Sequence, residues 1–377
     1  MAKIGIEAQR LFRSKKHGME VVALETLREL QKADKRNSYE IFVADDEDRC
    51  LTSSDNFKVN VLTPKFYPVW EQFLLPKEVR GADIDLLHCT ANTAPLNFKG
   101  DLIITIHDLI FMDSLELNAS AYQVFGNLYR RLIVPRVARK AKVIVTVSEY
   151  SKKIISEKLK IDPERIRVIH NGVSPVFKKL EKDERFSEFR QKYDLPENYI
   201  LHFGNTAPRK NTVTVLKAYN LYRERAVSPM KLVVAGCAPE VVHSTCKKHG
   251  LEKLLPHLTL PGYVRADELP LLYNQATVFL YPSLNEGFGL PVIESMSCGT
   301  PVITSDSSCL PEIAGDAALL VDPLDPSQIA ASLENISKPD IFTRCVERGF
   351  QNAKRFSWQQ TAEKTRKLYE EVVQLPN

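Results

Sequence analysis

The sequence has 377 residues, 44% of them hydrophobic, 26% charged and 8% aromatic. At two to three times the usual domain length it asks for two hydrophobic cores, and its composition excludes disordered, collagen-like and disulfide-stapled classes. The net charge of +4 is too small to argue for nucleic acid, and no basic run is interleaved with stacking aromatics. The excess is nevertheless uneven: residues 1–180 hold 29 Lys and Arg against 23 Asp and Glu, and the remainder 22 against 24.

Met1–Ala8 reads as a strand with an early acid, Glu7, and no stretch approaches the roughly 18 apolar residues of a membrane span. The expectation is a cytoplasmic chain, peripheral at most at the inner face of the membrane. Short apolar runs then alternate with helical patterns to the end. In the first half the strand candidates are Lys3–Ala8, Tyr39–Ala44, Lys58–Leu62, Asp85–Cys89, Leu102–His107, Lys142–Ser148 and Ile166–His170. In the second they are Tyr199–Phe203, Met230–Ala235, Leu258–Leu260, Thr277–Tyr281, Pro301–Thr304 and Ala317–Val321. Runs such as Val143–Val147 are apolar with little alternation, as parallel strands covered on both faces are. Helical patterns such as Gly18–Lys32 and Ser148–Leu159 lie between them. The pattern gives parallel α/β units, enough for two open sheets of the doubly wound kind. The seam falls between Val173 and Leu195, where Asn171-Gly172 and Pro175 precede the charged stretch Lys178–Arg190. Seven cysteines, with no CxxC pair, fit buried free thiols.

Four places carry chemistry. The most specific is Tyr281-Pro-Ser-Leu-Asn-Glu-Gly-Phe-Gly-Leu-Pro-Val-Ile-Glu294, a strand–loop–helix passage. Gly287 and Gly289 allow close backbone approach, and the amides from Gly287 through Phe288 and Gly289 to Leu290 open a helix, where an anion or sugar oxygen is held without a lysine. Glu286 in the loop and Glu294 one turn inside the helix can each accept hydroxyl hydrogen bonds. The second is His202–Asn211, where Asn205 follows a strand and adjacent Arg209 and Lys210 face any anion at its carboxyl end. The third is His107-Asp108 at another strand end, a candidate proton carrier or hydroxyl ligand. The fourth is Gly18 in Lys15-Lys-His-Gly-Met19, a turn open to phosphate. There is no GxGxxG after the first strand and no GxxxxGK[ST] loop. Asp83-Ile84-Asp85 has the spacing of a metal-holding pair but precedes its strand, so no metal is expected.

Together Glu286–Glu294, Pro208-Arg209-Lys210-Asn211, His107-Asp108 and His170-Asn171-Gly172-Val173 resemble family 4 retaining glycosyltransferases of the GT-B fold, most of all bacterial mannosyltransferase-type members of surface polysaccharide synthesis. Leu260–Val264, Leu310–Asp316 and Phe356-Ser357-Trp358 extend the likeness. The resemblance implies two Rossmann-like domains facing across a cleft, an acceptor-binding one at 1–175 plus 357–377 and a nucleotide-sugar-binding one at 185–356. It implies Glu286 on the donor sugar, Glu294 on the ribose, Arg209 and Lys210 on the diphosphate in place of a metal, Val264 near the base and His107 near the reacting carbon. It implies retention of configuration with no cofactor. The donor would be a GDP- or UDP-linked hexose, mannose first, and the acceptor a saccharide or lipid-linked saccharide. His17-Gly18-Met19 departs from the Thr-Gly-Ile or Gly-Gly often found in that loop, which weakens the reading of Gly18. A sugar-nucleotide epimerase of the same fold and a non-catalytic sugar-nucleotide-binding subunit stay open, as does the oligomeric state. Finally, Tyr122–Lys142 reads as a basic amphipathic segment suited to transient contact with anionic lipid, or as a solvated helix interrupted at Pro135.

Overall fold

The computed structural model describes residues 1–63, 65–113 and 121–374, without the side chains of 121–123; the side chain of Tyr122 therefore lies outside the described residues. The chain divides into one unit of Met1–Gly172 together with the chain from Ser357 on, and a second of Val173–Phe356.

In the first unit β1 (Lys3–Glu7), β2 (Ser38–Ala44), β3 (Phe57–Leu62), β4 (Leu86–Cys89), β5 (Asp101–Thr105), β6 (Val143–Thr146) and β7 (Ile166–Val168) form one sheet in the order β3-β2-β1-β4-β5-β6-β7. Every pairing is parallel, with Ile4 beside Leu86 and Ile103 beside Val143. Consecutive Ile103 and Ile104 are both fully buried, in separate cores on the two faces. That two-sided burial is why the strands read as continuous apolar runs. The second unit repeats the plan with β8 (Tyr199–Phe203), β9 (Lys231–Ala235), β10 (Leu258–Gly262), β11 (Val278–Tyr281), β12 (Val302–Ser305) and β13 (Ala318–Val321). Its order is β10-β9-β8-β11-β12-β13, again parallel, with Ile200 and Leu201 in cores on opposite faces.

The last helix, Trp358–Gln374, belongs to the first unit, where Leu368, Tyr369 and Val372 pack with Leu24, Leu27 and Leu30 of the helix Gly18–Ala33. Thr361 Oγ1 donates to the His170 carbonyl at 2.8 Å. Gly172 permits this return, since a β-carbon on it would fall 2.2 Å from the Trp358 amide nitrogen.

Two local expectations are corrected. The helix Ala121–Lys140 runs through Pro135 without interruption. Proline deletes one helical hydrogen bond, but fully buried Val134, Val137 and Ala138 pin the segment to the sheet. The strand expected to reach His107 ends at Thr105, because the His107 amide turns to donate to Asn92 Oδ1 at 2.8 Å.

In open parallel sheets ligands sit beyond the carboxyl ends of the strands where the winding reverses. Here those pairs are β1 with β4, and β8 with β11.

Candidate functional site

Beyond β8 the chain turns through Pro208–Lys210 into the helix Thr212–Arg225. Asn211 makes the turn with φ of 62°, and its Nδ2 donates to the carbonyls of Pro282 (2.9 Å) and Pro323 (2.6 Å). This side chain locks the loop after β8 to the loop after β11. The result brings Arg209, Lys210 and Glu286 together. Lys210 Nζ lies 2.7 Å from Glu286 Oε1 and Arg209 Nη1 3.1 Å from Oε2. Tyr281 OH (2.9 Å) and Ser283 Oγ (2.6 Å) also donate to Oε1, and Lys210 donates to Tyr281 OH at 2.6 Å. Glu286 is buried, while Lys210 and Arg209 keep 19% and 36% of their side chains open. Burial works against the carboxylate, but the Lys210 and Arg209 charges and the hydrogen bonds outweigh it and hold its pKa below the ordinary value. Glu286 is thus ionised at neutral pH and carries two cations that are each partly exposed.

The loop then climbs into the helix Leu290–Ser297 through Gly289, at φ of 98°, where a β-carbon would also meet Leu310 Cδ2 at 2.8 Å. Cys309 Sγ donates to the carbonyls of Glu286 (3.2 Å) and Phe288 (3.1 Å), and Phe288 is buried edge-on to Phe356. Gly287 and Leu290 are partly exposed along this rise. Glu294 lies inside the helix and accepts from Tyr273 OH at 2.9 Å. Burial of its carboxyl pushes its pKa up to about 7, with the tyrosine bond offsetting part of the rise. The two glutamates, eight residues apart, are therefore shifted in opposite directions. Asn205 is exposed at the end of β8, its Oδ1 accepting from the Ala207 amide at 2.8 Å; Val264 is half-buried against the core beside exposed Tyr263.

The crevice of the first unit is different. A cavity of about 580 Å³ opens beyond β1 and β4, lined among others by Gln9, Arg10, His17, Tyr67, Thr93 and Tyr129. Behind its lining residues Tyr67, Thr93 and Tyr129 lies the carboxylate of Glu71, fully buried in a widened helical turn, Trp70–Leu74. Glu71 accepts from Tyr67 OH and Gln72 Nε2, each at 2.7 Å, and from Thr93 and Tyr129. Glu7, at the end of β1, is 1% exposed, and burial lifts its pKa to about 7, Glu71 adding to the rise and Arg10 opposing it. The Arg10 guanidinium stacks 4.9 Å over the Tyr67 ring, and its buried Nε has no hydrogen-bond partner. Gly18 is the exposed first residue of its helix, with open space where a side chain would stand. His107 is buried and donates from Nε2 to the Thr90 carbonyl at 3.0 Å. That carbonyl can only accept, so Nε2 carries the proton and Nδ1 is left as an acceptor. Burial lowers its pKa, keeping the ring neutral at pH 7. Asp85, of the Asp-x-Asp decoy, accepts from the Lys3 amide at 2.7 Å, at the opposite edge of the sheet from the crevice.

Sequence reasoning brought out Arg209, Lys210, Glu286 and Glu294. It did not bring out Tyr281, Ser283, Tyr273, Asn211 and Cys309, which hold them, nor Glu71, Tyr67 and Tyr129 in the other crevice. Tyr281 and Ser283 stood in the motif itself. Glu71, between Trp70 and Phe73, carried one signal: an acid in an apolar run.

Two family models match the chain in succession: Glycosyltransferase Family 4 over residues 16–177, and Glycosyl transferases group 1 over 183–351. The chain is 35% identical to O-antigen chain mannosyltransferase B of Escherichia coli over 61% of its own length and 60% of that protein's. It is 28% identical to the serotype-specific mannosyltransferase WbdA of Escherichia coli over 71% of its length and 33% of that protein's. The match thus spans under two thirds of either relative. Among solved structures, HepE of Anabaena, in complex with UDP and glucose, superposes with a TM-score of 0.73 at 20% identity, covering 98% of this chain and 100% of the other. Two Rossmann-like units of parallel sheet, one matching each model, give the chain the GT-B plan of glycosyltransferases, with a Glycosyltransferase Family 4 domain followed by a Glycosyl transferases group 1 domain.

Proposed function

We propose that the chain transfers a hexose, mannose first among the candidates, from a nucleoside-diphosphate sugar to a saccharide or lipid-linked saccharide, with retention and without a metal. The observation that carries this is the Arg209–Glu286–Lys210 cluster at the reversal of the second sheet. A departing nucleoside diphosphate accumulates negative charge, and two preorganised cations beside the amides of Gly287–Leu290 meet that charge as it develops. Electrostatic stabilisation of this kind replaces what a divalent ion supplies elsewhere. Glu286, ionised and held from four sides, offers acceptor lone pairs to sugar hydroxyls, and Glu294, near half-protonated at pH 7, can both give and take hydrogen bonds with a ribose. Asn205, just past the end of β8, and Val264, just past β10, would lie toward the base. The mannosyltransferase names of the relatives favour mannose; UDP in the structural neighbour keeps uridine in view.

The crevice of the first unit suits the acceptor. Tyr67 and Tyr129 give aromatic faces on which sugar rings stack, and Arg10 and His17 border them. His107 serves as a hydroxyl acceptor at Nδ1 and supplies no positive charge. Among the described residues each candidate carboxylate already has another task, Glu286 in the ion cluster and Glu71 among hydroxyls, so the reaction proposed is a front-side displacement: the acceptor oxygen bonds to the anomeric carbon as the diphosphate leaves, and a phosphate oxygen takes the acceptor proton. The test incubates the protein in EDTA with GDP-mannose, UDP-glucose and mannose oligosaccharides, following nucleoside diphosphate release and product mass. Chain extension by one hexose, lost in Arg209→Ala, is expected. Isomerised nucleotide sugar without transfer would assign the epimerase reading instead, and nucleotide binding without turnover the non-catalytic one.

A further inference from the structure

Among the described residues six of the thirteen exposed large hydrophobic side chains stand on one face of the first unit. Phe66, Val69 and Phe73, at three- and four-residue spacing, are 59%, 38% and 71% exposed, Phe66 just before and the other two on the helical segment that begins at Tyr67. Phe125, Leu128 and Leu132, at the same spacing, are 46%, 50% and 52% exposed on the helix Ala121–Lys140. The two rows meet, with the Phe66 and Phe125 rings stacked 6.3 Å apart. Single exposed apolar residues need no explanation, but two abutting rows do. Helical spacing continues the second row into Arg136 and Arg139, both exposed, and the whole of Ala121–Lys140 contains no acid. One helix edge thus passes from apolar to basic within about 20 Å.

We propose that this face docks on an anionic lipid surface, the phenylalanines and leucines entering the headgroup–acyl boundary and Arg136 and Arg139 lying on the lipid phosphates. An apolar row alone would equally suit a protein partner; the basic continuation on the same edge is what selects anionic lipid, since interfacial helices combine these two attractions. Phe66 and Phe125 also line the 580 Å³ cavity, so a docked unit opens its crevice beside the bilayer. The docking itself does not depend on the transferase reading.

Flotation with phosphatidylcholine vesicles, with and without phosphatidylglycerol, tests it on the whole chain. The expected result is binding to the anionic vesicles that weakens with salt. Each basic residue near the surface is worth about fivefold in partition, so Arg136→Glu with Arg139→Glu should weaken binding more than about 20-fold. Phe73→Ser with Leu128→Ser and Leu132→Ser should abolish it, and both variants should keep the wild-type melting temperature and nucleotide response. No flotation on anionic vesicles, equal flotation on neutral ones, or binding that neither variant alters would overturn the proposal. So would a wild-type dimer that the serine variant converts to a monomer in sedimentation, which would give the face to a second copy.

Discussion

Glu286→Gln asks whether the carboxylate and a diphosphate draw on the same two cations. Glu286 Oε1 takes Lys210, Tyr281 and Ser283, and Oε2 takes Arg209. A glutamine oxygen can keep two of the three Oε1 bonds, but its amide would confront the Arg209 donor. A charge pair at about 4 Å is worth about 4 kcal/mol at an effective dielectric of about 20, and the desolvation of Glu286 offsets part of it. Because Arg209 is more than a third open, only the Lys210 pair counts in full, leaving a net loss of about 2 kcal/mol. In a unit of this size that lowers the melting temperature by about 4–8 °C. The same change raises the cluster from one net positive charge to two. A nucleoside diphosphate should then bind as tightly as to the wild type or up to about tenfold tighter, since the added charge acts at about 5 Å through partly screened surroundings. Sugar transfer should fall by two or more orders of magnitude, because the lost lone pairs positioned the sugar. Calorimetric titration of GDP and UDP, beside turnover of the nucleotide sugar, reads both. If Glu286→Gln weakens nucleoside diphosphate binding as Arg209→Ala does, the two are not competing and the reasoning fails.

Glu7 carries a pH dependence with a definite sign. Its folded pKa of about 7 lies above the ordinary 4.5, so the folded state holds the proton more tightly; this contribution is full below pH 4.5 and is lost as pH rises toward and through 7. Glu7→Gln should therefore gain up to about 3 kcal/mol over the wild type at pH 8.5 and little at pH 4.5, and urea unfolding at the two pH values checks it; equal stability at both would refute the buried proton. Gly172→Ala should cost about 3 kcal/mol or prevent folding, because its methyl group would overlap the backbone of Trp358, and a melting temperature within 2 °C or so of wild type would contradict that close approach. Cys309→Ala removes the donor to the Glu286 and Phe288 carbonyls and should cost about 1–2 kcal/mol while loosening the nucleotide response, read by thermal melts with and without ligand.

The parallel architecture was legible because the inner strands are apolar on both faces; Ile103-Ile104 and Ile200-Leu201 show the rule at the level of neighbours. The sites were legible where glycine, a charged pair and a strand end coincide, as at Arg209-Lys210 and Glu286–Glu294. What holds those residues was not. Asn211 and Cys309 act through carbonyls 71 to 112 and 21 to 23 residues away, and no local pattern encodes such partners. Pro135 read as a break because proline usually is one, whereas here tertiary packing outweighs one missing hydrogen bond. Glu71 escaped notice because hydroxyls brought from residues 67, 93 and 129 make an acid tolerable in an apolar run only after folding.

The central claim is that Arg209 and Lys210 receive a nucleoside diphosphate without a metal. The measurement that bears on it most directly is a titration of GDP, UDP and ADP in EDTA, followed by melting temperature, on wild type, Arg209→Ala and Lys210→Ala. Binding to the folded state alone must raise the melting temperature by mass action. One nucleotide should stabilise the wild type, and each substitution should remove most of that shift. A shift that both variants retain, or one that appears only when magnesium replaces EDTA, would contradict the account.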